Sequence, residues 1–443
     1  MPADDGQAAF KYPDDRMPPF LKAPNLRHLR MVQIVGKLGG VSRASRELHS
    51  SQPTVTQAVA NHEIDVGVKL FDRCVTGTYP TTGGQQYLRR LDRFFDILDT
   101  AIEQIMAPSG SEPSLRILPV ERLVTGTQLR ALIAASHQSQ LRATARSLGR
   151  SPTSLFRSAR TLERTLNKPL FERTLQGPVL NRTGQCLALA FQRALREIEL
   201  ARGEIHITKT RGGLELIVGT LPMAGSHTLA EAARRFVTAY PAVTLRLVSG
   251  GYHKLITDLT QSRIDMIFGR LGKPDWAQQI QEEALFRDNY CLLARPDHPL
   301  AGKNQVTIAE LAYFQWVVPP RGTPRRARIE AIFAGTGTSP RFHIEASSPT
   351  ISRTLLLDSD TITLMPQSEV RQDIDLGTLV QLRCTNVDHV LSCHTPYKGV
   401  TTRSDWLPTE AHTAFVDSLR QVTAQFGLVR PLARARRRKN AGH

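Results

Sequence analysis

Ser51, Gln52, Pro53, Thr54, Thr56 and Gln57 make one run of short polar side chains, and Ser151, Pro152, Thr153, Ser154, Phe156 and Arg157 make a second, one hundred residues later. Hydroxyl, amide and guanidinium groups at helical spacing can hydrogen-bond phosphate oxygens and base edges in a major groove. Asn61 extends the polar face of the first run, and Arg160 and Arg164 that of the second. The opposite face repeats at i, i+4, i+7: Val55, Val59 and His62, then Leu155, Ala159 and Leu162. Such a helix is either a solvated surface or a groove reader, and its retention in both copies favours the reader.

The elements around these runs repeat as well. Residues 26–38 and 128–137 have helical apolar spacing, and a short helix ends at Leu48 or Leu148. Ser51 and Ser151 are good N-caps, with Pro53 and Pro152 tolerated in the first turn. Gly67 and Asn167 follow the helix, the residue types that most readily take the left-handed backbone of a C-terminus. "KLFDR" at Lys69–Arg73 then matches "PLFER" at Pro169–Arg173, opening a strand, a Gly-containing turn and a second strand. Three helices and a hairpin make a winged helix-turn-helix, and a period this long is a duplicated domain. A long helix trails each copy; Leu88, Leu91, Phe95, Leu98 and Ile102 give the first of them a packing seam.

The chain has 443 residues, enough for several cores, and a net charge of +17. That excess is +8 over residues 106–206 and +5 over residues 431–443, against −1, +2 and +3 for residues 1–25, 26–105 and 207–430. Concentrated positive charge fits a polyanion, most simply double-stranded DNA. Five scattered cysteines without a CxxC pair argue against a zinc site or a disulfide framework, and solitary, largely buried thiols are expected rather than a redox-sensing pair such as Cys384 with Cys393. The N-terminus lacks the pattern of a signal peptide, and no apolar run is long enough to span a bilayer, so the expected setting is cytoplasmic, away from membranes. No Gly-rich phosphate loop, GxSxG, HExxH or Cys/His ligand spacing occurs, so no catalytic residue, metal or cofactor is assigned.

In the C-terminal half, "LELIVGTLP", "VTLRLVSGG" and "IDMIFGRL" read as strands alternating with helices, which predicts a parallel sheet. A second alternating run follows from "NYCLLARPDHPLAG" to "TITLMPQS", and the last strand and helix could return to the first sheet. Two α/β lobes place a small ligand at the carboxyl ends of the strands, where Thr220, Leu221, Ser249, Gly250, Arg270, Gly322, Thr323, Ser347 and Ser348 are candidates. The fold class is therefore α/β and multidomain.

"VSRASRELHSSQPTVTQAVANHEIDVGVKLFDR" resembles the DNA-binding domain of LysR-type transcriptional regulators. "TLP", "ARPDHPLAG", "PPRGTP" and "EASS" resemble the effector domain of the same family, which is similar to periplasmic solute-binding proteins. The resemblance implies that Gln52, Pro53, Thr56 and Gln57, and in the second copy Pro152, Thr153, Phe156 and Arg157, approach DNA; the polar faces themselves add Thr54, Ser154 and Arg160. It implies that Thr220, Thr323, Ser347 and Ser348 line an inducer cleft, and that the trailing helices pair between subunits of a homodimer or homotetramer. RNA polymerase is a partner compatible with that role. Gln57 stands where the family usually has Arg and His62 where it has Leu, while Pro152 and Phe156 are departures in the second copy. Arg321, Arg325 and Arg326 beside the "RGTP" loop either cover surface or favour a carboxylate effector, and the effector expected is a carboxylate or aromatic catabolite.

The expected boundaries are a flexible arm to residue 25, winged domains at 26–84 and 128–184, linker helices at 85–106 and 185–206, and a linker at 107–127. The effector domain is expected at 212–428, with lobe 1 about 212–271 and 385–428, lobe 2 about 272–384, and a basic tail at 429–443. The alternative readings are a ligand-free architectural DNA-binding protein and an α/β enzyme tethered to DNA.

Overall fold

The computed structural model describes residues 25–74, 77–106, 118–136, 145, 151–175, 177–206, 213–338, 340–384, 387, 391 and 397–425. The expected N-terminal arm, the basic tail, Cys393 and the short helix ending at Leu148 lie outside the described residues. The chain divides into two compact bodies, Met1–Leu214 and Glu215–His443.

In the first body the helices are α1 (Leu26–Leu38), α2 (Val41–Glu47) and α3 (Gln52–Val66), followed by strands β1 (Phe71–Cys74) and β2 (Gly77–Pro80) and helix α4 (Thr82–Met106). A short helix α5 (Val120–Leu123) precedes the second set: α6 (Gly126–Ala135), α7 (Pro152–Leu166), β3 (Phe171–Thr174), β4 (Gly177–Leu180) and α8 (Arg182–His206). The expected linker at 107–127 is thus not all linker. Helix α5 is fixed by Arg30, whose Nε donates to Glu121 at 3.0 Å while Nη2 reaches Asp99 at 2.7 Å.

The repeat holds at the level of single bonds. Ser51 and Ser151 accept from the N–H of Thr54 and Ser154, at 3.3 and 3.1 Å. Glu63 accepts from the N–H groups of Leu70 and Phe71, and Glu163 from those of Leu170 and Phe171, tying each recognition helix to its wing. Gly67 and Asn167 close these helices in the left-handed region, at φ 76° and 48°. One apolar core runs through both copies, from Leu29 and Val55 through Phe94 and Leu98 to Leu155, Leu187 and Phe191.

The second body opens with β5 (Leu214–Thr220), α9 (Ser226–Ala239), β6 (Val243–Ser249), α10 (Tyr252–Thr260), β7 (Met266–Arg270) and β8 (Ile280–Arg287). Then come β9 (Tyr290–Ala294), α11 (Ile308–Tyr313), β10 (Gln315–Val318), α12 (Pro324–Phe333), β11 (Arg341–Glu345), α13 (Pro349–Leu357), β12 (Thr363–Pro366), α14 (Gln367–Asp375) and β13 (Val380–Leu382). Strand β14 (Tyr397–Arg403) and helix α15 (Glu410–Gln425) complete it.

The first sheet has the order β6-β5-β7-β14-β8, and the second body is mixed rather than parallel. Strands β5 and β7 are parallel, but β14 runs against both β7 and β8, because the chain re-enters this sheet from the far lobe. Strand β8 belongs to this first lobe, so the boundary expected near residue 272 lies instead after Arg287, where β8 ends and β9 begins another sheet. In the second lobe β9 lies between β12 and β13, antiparallel to both, and a bridge from Trp316 to Ile362 joins the parallel pair β10 and β11 to it.

Candidate DNA interface and ligand cleft

Helices α3 and α7 bury the same stripes that the sequence pattern marks: Val55, Val59 and His62, and Leu155, Ala159 and Leu162. Gln52, Pro53, Thr54, Gln57 and Asn61 are exposed on α3, and Pro152, Thr153, Arg157 and Arg164 on α7; Thr56 and Ser154 are half-buried. The two faces differ in charge: residues 51–66 sum to −2 and residues 151–166 to +2. Gln57 donates to Asn61 at 2.7 Å, a pairing that holds both amides ready on one face.

Two residues expected on the DNA face of the second copy turn inward. Phe156 sits edge-on against Phe171 with ring centroids 5.1 Å apart and joins the core. Arg160 lies 4.5 Å over the Phe171 ring and pairs with Glu163 at 2.8 Å. The half-buried Phe156 fills the root of the wing, and Arg160 is drawn down onto it by the ring face and the carboxylate. On the first copy, Arg43 and Arg46 of α2 line an open depression with Leu38, Glu47 and His49, beside the helix-turn-helix.

In the second body, Thr220 at the end of β5 and Ser249 at the end of β6 share a hydrogen bond of 3.0 Å. Gly250 donates its N–H to the Thr220 carbonyl, and Leu221 its N–H to that of Phe268, so these four positions converge. Arg270 lies 5.8 Å over the Tyr252 ring. Thr323 and Ser348 serve as N-caps, accepting from Arg326 N and Ile351 N. Gly322 is exposed in the loop before α12 at φ 79°, and Ser347 is exposed beside its capping neighbour.

The expected trio of arginines separates. Arg321 is exposed. Arg326 is held by Glu330 at 2.7 Å and by the Phe342 ring at 4.2 Å, so it serves the fold. Arg325 is 7% exposed and crosses between the lobes, its Nη1 3.1 Å from the Met223 sulfur and 3.4 Å from the Leu364 carbonyl. Burial lowers its pKa to about 10, and among the described residues no carboxylate offsets that burial. The Tyr290 hydroxyl has its pKa raised by burial, while the charges of Arg270, Arg325 and Arg328 act in the opposite direction. Asp288, which acts on Tyr290 in the raising direction, is already paired with buried Lys398, which also donates to the Met223 carbonyl at 2.5 Å and the Ser368 hydroxyl at 3.1 Å. Another carboxylate, Glu369, is seated on the N-terminus of α9, accepting from Gly225 N, Ser226 N and Ser226 Oγ.

The model of the bacterial regulatory helix-turn-helix protein of the LysR family matches twice, at residues 26–85 and 127–185, and the LysR substrate binding domain matches residues 211–424. The chain belongs to the LysR family of transcriptional regulators. The HTH-type transcriptional regulator GalR of Pseudomonas putida is 28% identical over 406 residues, 91% of this chain and 99% of that one, an extent that crosses both helix-turn-helix copies. The regulator YdcI of Escherichia coli is 29% identical over 255 residues, 57% of this chain and 83% of that one. A full-length OxyR variant of Pseudomonas aeruginosa is similar in structure at 19% identity, covering 67% of this chain and 95% of that chain with a TM-score of 0.49.

This LysR-type regulator therefore couples a helix-turn-helix region with an effector-binding domain. The sequence pattern singles out the hydroxyl cluster but not Tyr290 and Arg328, whose charges and burial act on one another beside Arg325; a Tyr opening a buried strand and an Arg one turn beyond Arg325 were the available signals. Among the described residues no group of three His, Cys, Asp or Glu could hold a metal ion, and no helix is long and apolar enough to cross a membrane. Cys74 and Cys186 are exposed, against the expectation of largely buried thiols, while Cys291 and Cys384 are buried. Burial pushes the Cys291 thiol up to about 12.

Proposed function

We propose that this regulator lays the polar faces of α3 and α7 against duplex DNA and is switched by a carboxylate-bearing small molecule bound between the lobes of its effector domain. Gln52, Pro53, Thr54 and Gln57 would meet DNA from the first copy, and Thr153, Ser154 and Arg157 from the second. The effector half rests on one observation: Arg325 is a buried guanidinium that, among the described residues, faces Tyr290 but is paired with no carboxylate. Burying an unpaired charge is costly, and a ligand carboxylate supplies the missing partner through a charge-assisted bond. Arg270 adds positive potential near Tyr290, and Thr220 and Ser249 offer hydroxyls at the ends of neighbouring strands. Ligand closes the lobes and shifts subunits within an oligomer, which changes how the DNA-binding region engages its operator and RNA polymerase; this needs only a ligand that prefers one arrangement. The protein acts in the cytoplasm, and no catalytic residue, metal or cofactor belongs to this reading.

The test is a thermal-shift panel of small aliphatic and aromatic carboxylates beside their uncharged amides. Carboxylates alone are expected to raise Tm. Arg325→Met should lose that response while still retarding operator DNA. Equal protection by amides, or an intact response in Arg325→Met, would exclude the carboxylate.

A further inference from the structure

Helices α4 and α8 pack antiparallel within one chain. A β-carbon on Gly83, near the start of α4, would lie 4.0 Å from Ile205 Cγ2 near the end of α8. Arg90, fully buried, donates through Nη1 to Glu197 at 2.8 Å and through Nε to Glu204 at 2.9 Å. Arg93 joins Glu197 at 3.3 Å, and Arg202 pairs with Asp65.

The hundred-residue repeat makes the alternatives explicit. In the same antiparallel register, two first linker helices from different chains would set Arg90 opposite Ile97 and Gln104, the counterparts of Glu197 and Glu204. Two second helices would set Glu204 opposite Ala190, the counterpart of Arg90, and would leave Glu197 only Arg193 in place of Arg93. The other cross-link fares no better, since Arg202 and Asp65 correspond to Ile102 and Thr165. Each self-pairing strips a buried charge of its partner, whereas the pairing of unlike copies joins Arg90 to both Glu197 and Glu204. Complementary buried charge of this kind selects a partner by penalising the wrong one. The recognition helices carried by the pair are unlike too, with Gln57 facing out where the second copy has Arg157, and opposite net charge.

We infer that a single chain is a built-in heterodimer of DNA-binding units, coded to join its first linker helix to its second, and that it reads an operator of two unlike half-sites. The operator half of this inference rests on the proposed groove contact of α3 and α7; the pairing half does not. An amide at the position of Gln57 suits adenine and a guanidinium at that of Arg157 suits guanine or phosphate, so one inverted repeat cannot serve both faces equally.

The experiment uses the full-length chain in two arms. In the first, Gly83→Cys and Ile205→Cys are introduced with the exposed Cys74 and Cys186 changed to Ser, and the protein is oxidised over a hundredfold dilution series. A cross-linked species of monomer mass, undiminished by dilution, is expected; disulfide dimers that fade on dilution would overturn the pairing. In the second, an operator is selected from random DNA and footprinted. Two dissimilar half-sites are expected, with Gln57→Ala relaxing one, Arg157→Ala the other, and a palindrome built from either half-site binding at least tenfold more weakly. A palindrome bound as tightly, or substitutions that affect both halves alike, would overturn the operator claim alone. Failure to retard any fragment in dilute buffer would overturn it together with the groove contact, while an intrachain cross-link would still stand.

Discussion

His62 Nε2 lies 2.7 Å from the Tyr87 hydroxyl inside the first helix-turn-helix copy, and the equivalent positions of the second copy are Leu162 and Leu187. A polar pair that satisfies itself has replaced an apolar pair in the same pocket, so His62 is a packing residue and not a ligand. Burial lowers its pKa to about 4 from the usual 6.5, with the nearby Arg202 charge acting the same way. As pH falls from about 6.5 to about 4 the unfolded chain takes up a proton that the folded chain refuses, and stability is lost in that window. The linkage amounts to roughly 3 kcal/mol across the window. Urea unfolding at pH 7.5 and pH 5 should show about 2 kcal/mol of this loss, and it should shrink markedly in the His62→Leu, Tyr87→Leu pair. An unchanged pH dependence in that pair would assign the effect elsewhere.

The winged domains were readable because caps, stripes and wings recur at a fixed offset, and Ser51, Glu63, Gly67 and their counterparts each make the same local bond. What pairs with what was harder. The apolar seam of α4 announces a partner without naming it, and only the unlike charges at Arg90, Glu197 and Glu204 distinguish the two helices. Phe156 and Arg160 are half-buried because the wing draws both toward Phe171, which a face read from helical spacing does not show. In the effector domain, alternating strands and helices were visible. The reversal of β14 was not, since strand direction depends on where the chain re-enters the sheet.

Arg90 gives a direct stability prediction. Removing one member of a buried ion pair leaves the others uncompensated and costs about 3–5 kcal/mol. Arg90→Met should therefore destabilise the first body by that order, with a fall in the urea midpoint of the full chain. Adding Glu197→Leu and Glu204→Leu should recover much of the loss, because the stranded carboxylates are gone. A single variant as stable as the parent would mean that Glu197 and Glu204 find other partners.

Two glycines separate backbone crowding from helix propensity. A β-carbon on Gly84 would lie 2.0 Å from the Leu70 carbonyl oxygen, and one on Gly184 2.2 Å from that of Leu170. Each Ala substitution should force the wing off its linker helix and cost about 1–3 kcal/mol. Gly83 is the control: its nearest neighbour would be 4.0 Å away, so Gly83→Ala should be neutral or stabilise by up to ~1 kcal/mol. Thermal unfolding of the three variants decides it, and equal effects at Gly83 and Gly84 would refute the crowding argument.

Arg157 is exposed on α7 at the position that Gln57 holds on α3, and the two should differ in how salt affects their contribution. A guanidinium on a phosphate displaces a condensed counterion, whereas an amide on a base edge does not. If Arg157 meets phosphate, Arg157→Ala should weaken binding across sequences and reduce the slope of log affinity against log salt by about 1. If it reads a base, the slope should fall less and one base pair should lose about 1–3 kcal/mol of discrimination. Gln57→Ala should leave the slope unchanged and relax a different position. Titrations at several salt concentrations with operator and scrambled DNA distinguish these outcomes, and an Arg157→Ala variant indistinguishable from the parent in both would remove α7 from the DNA interface.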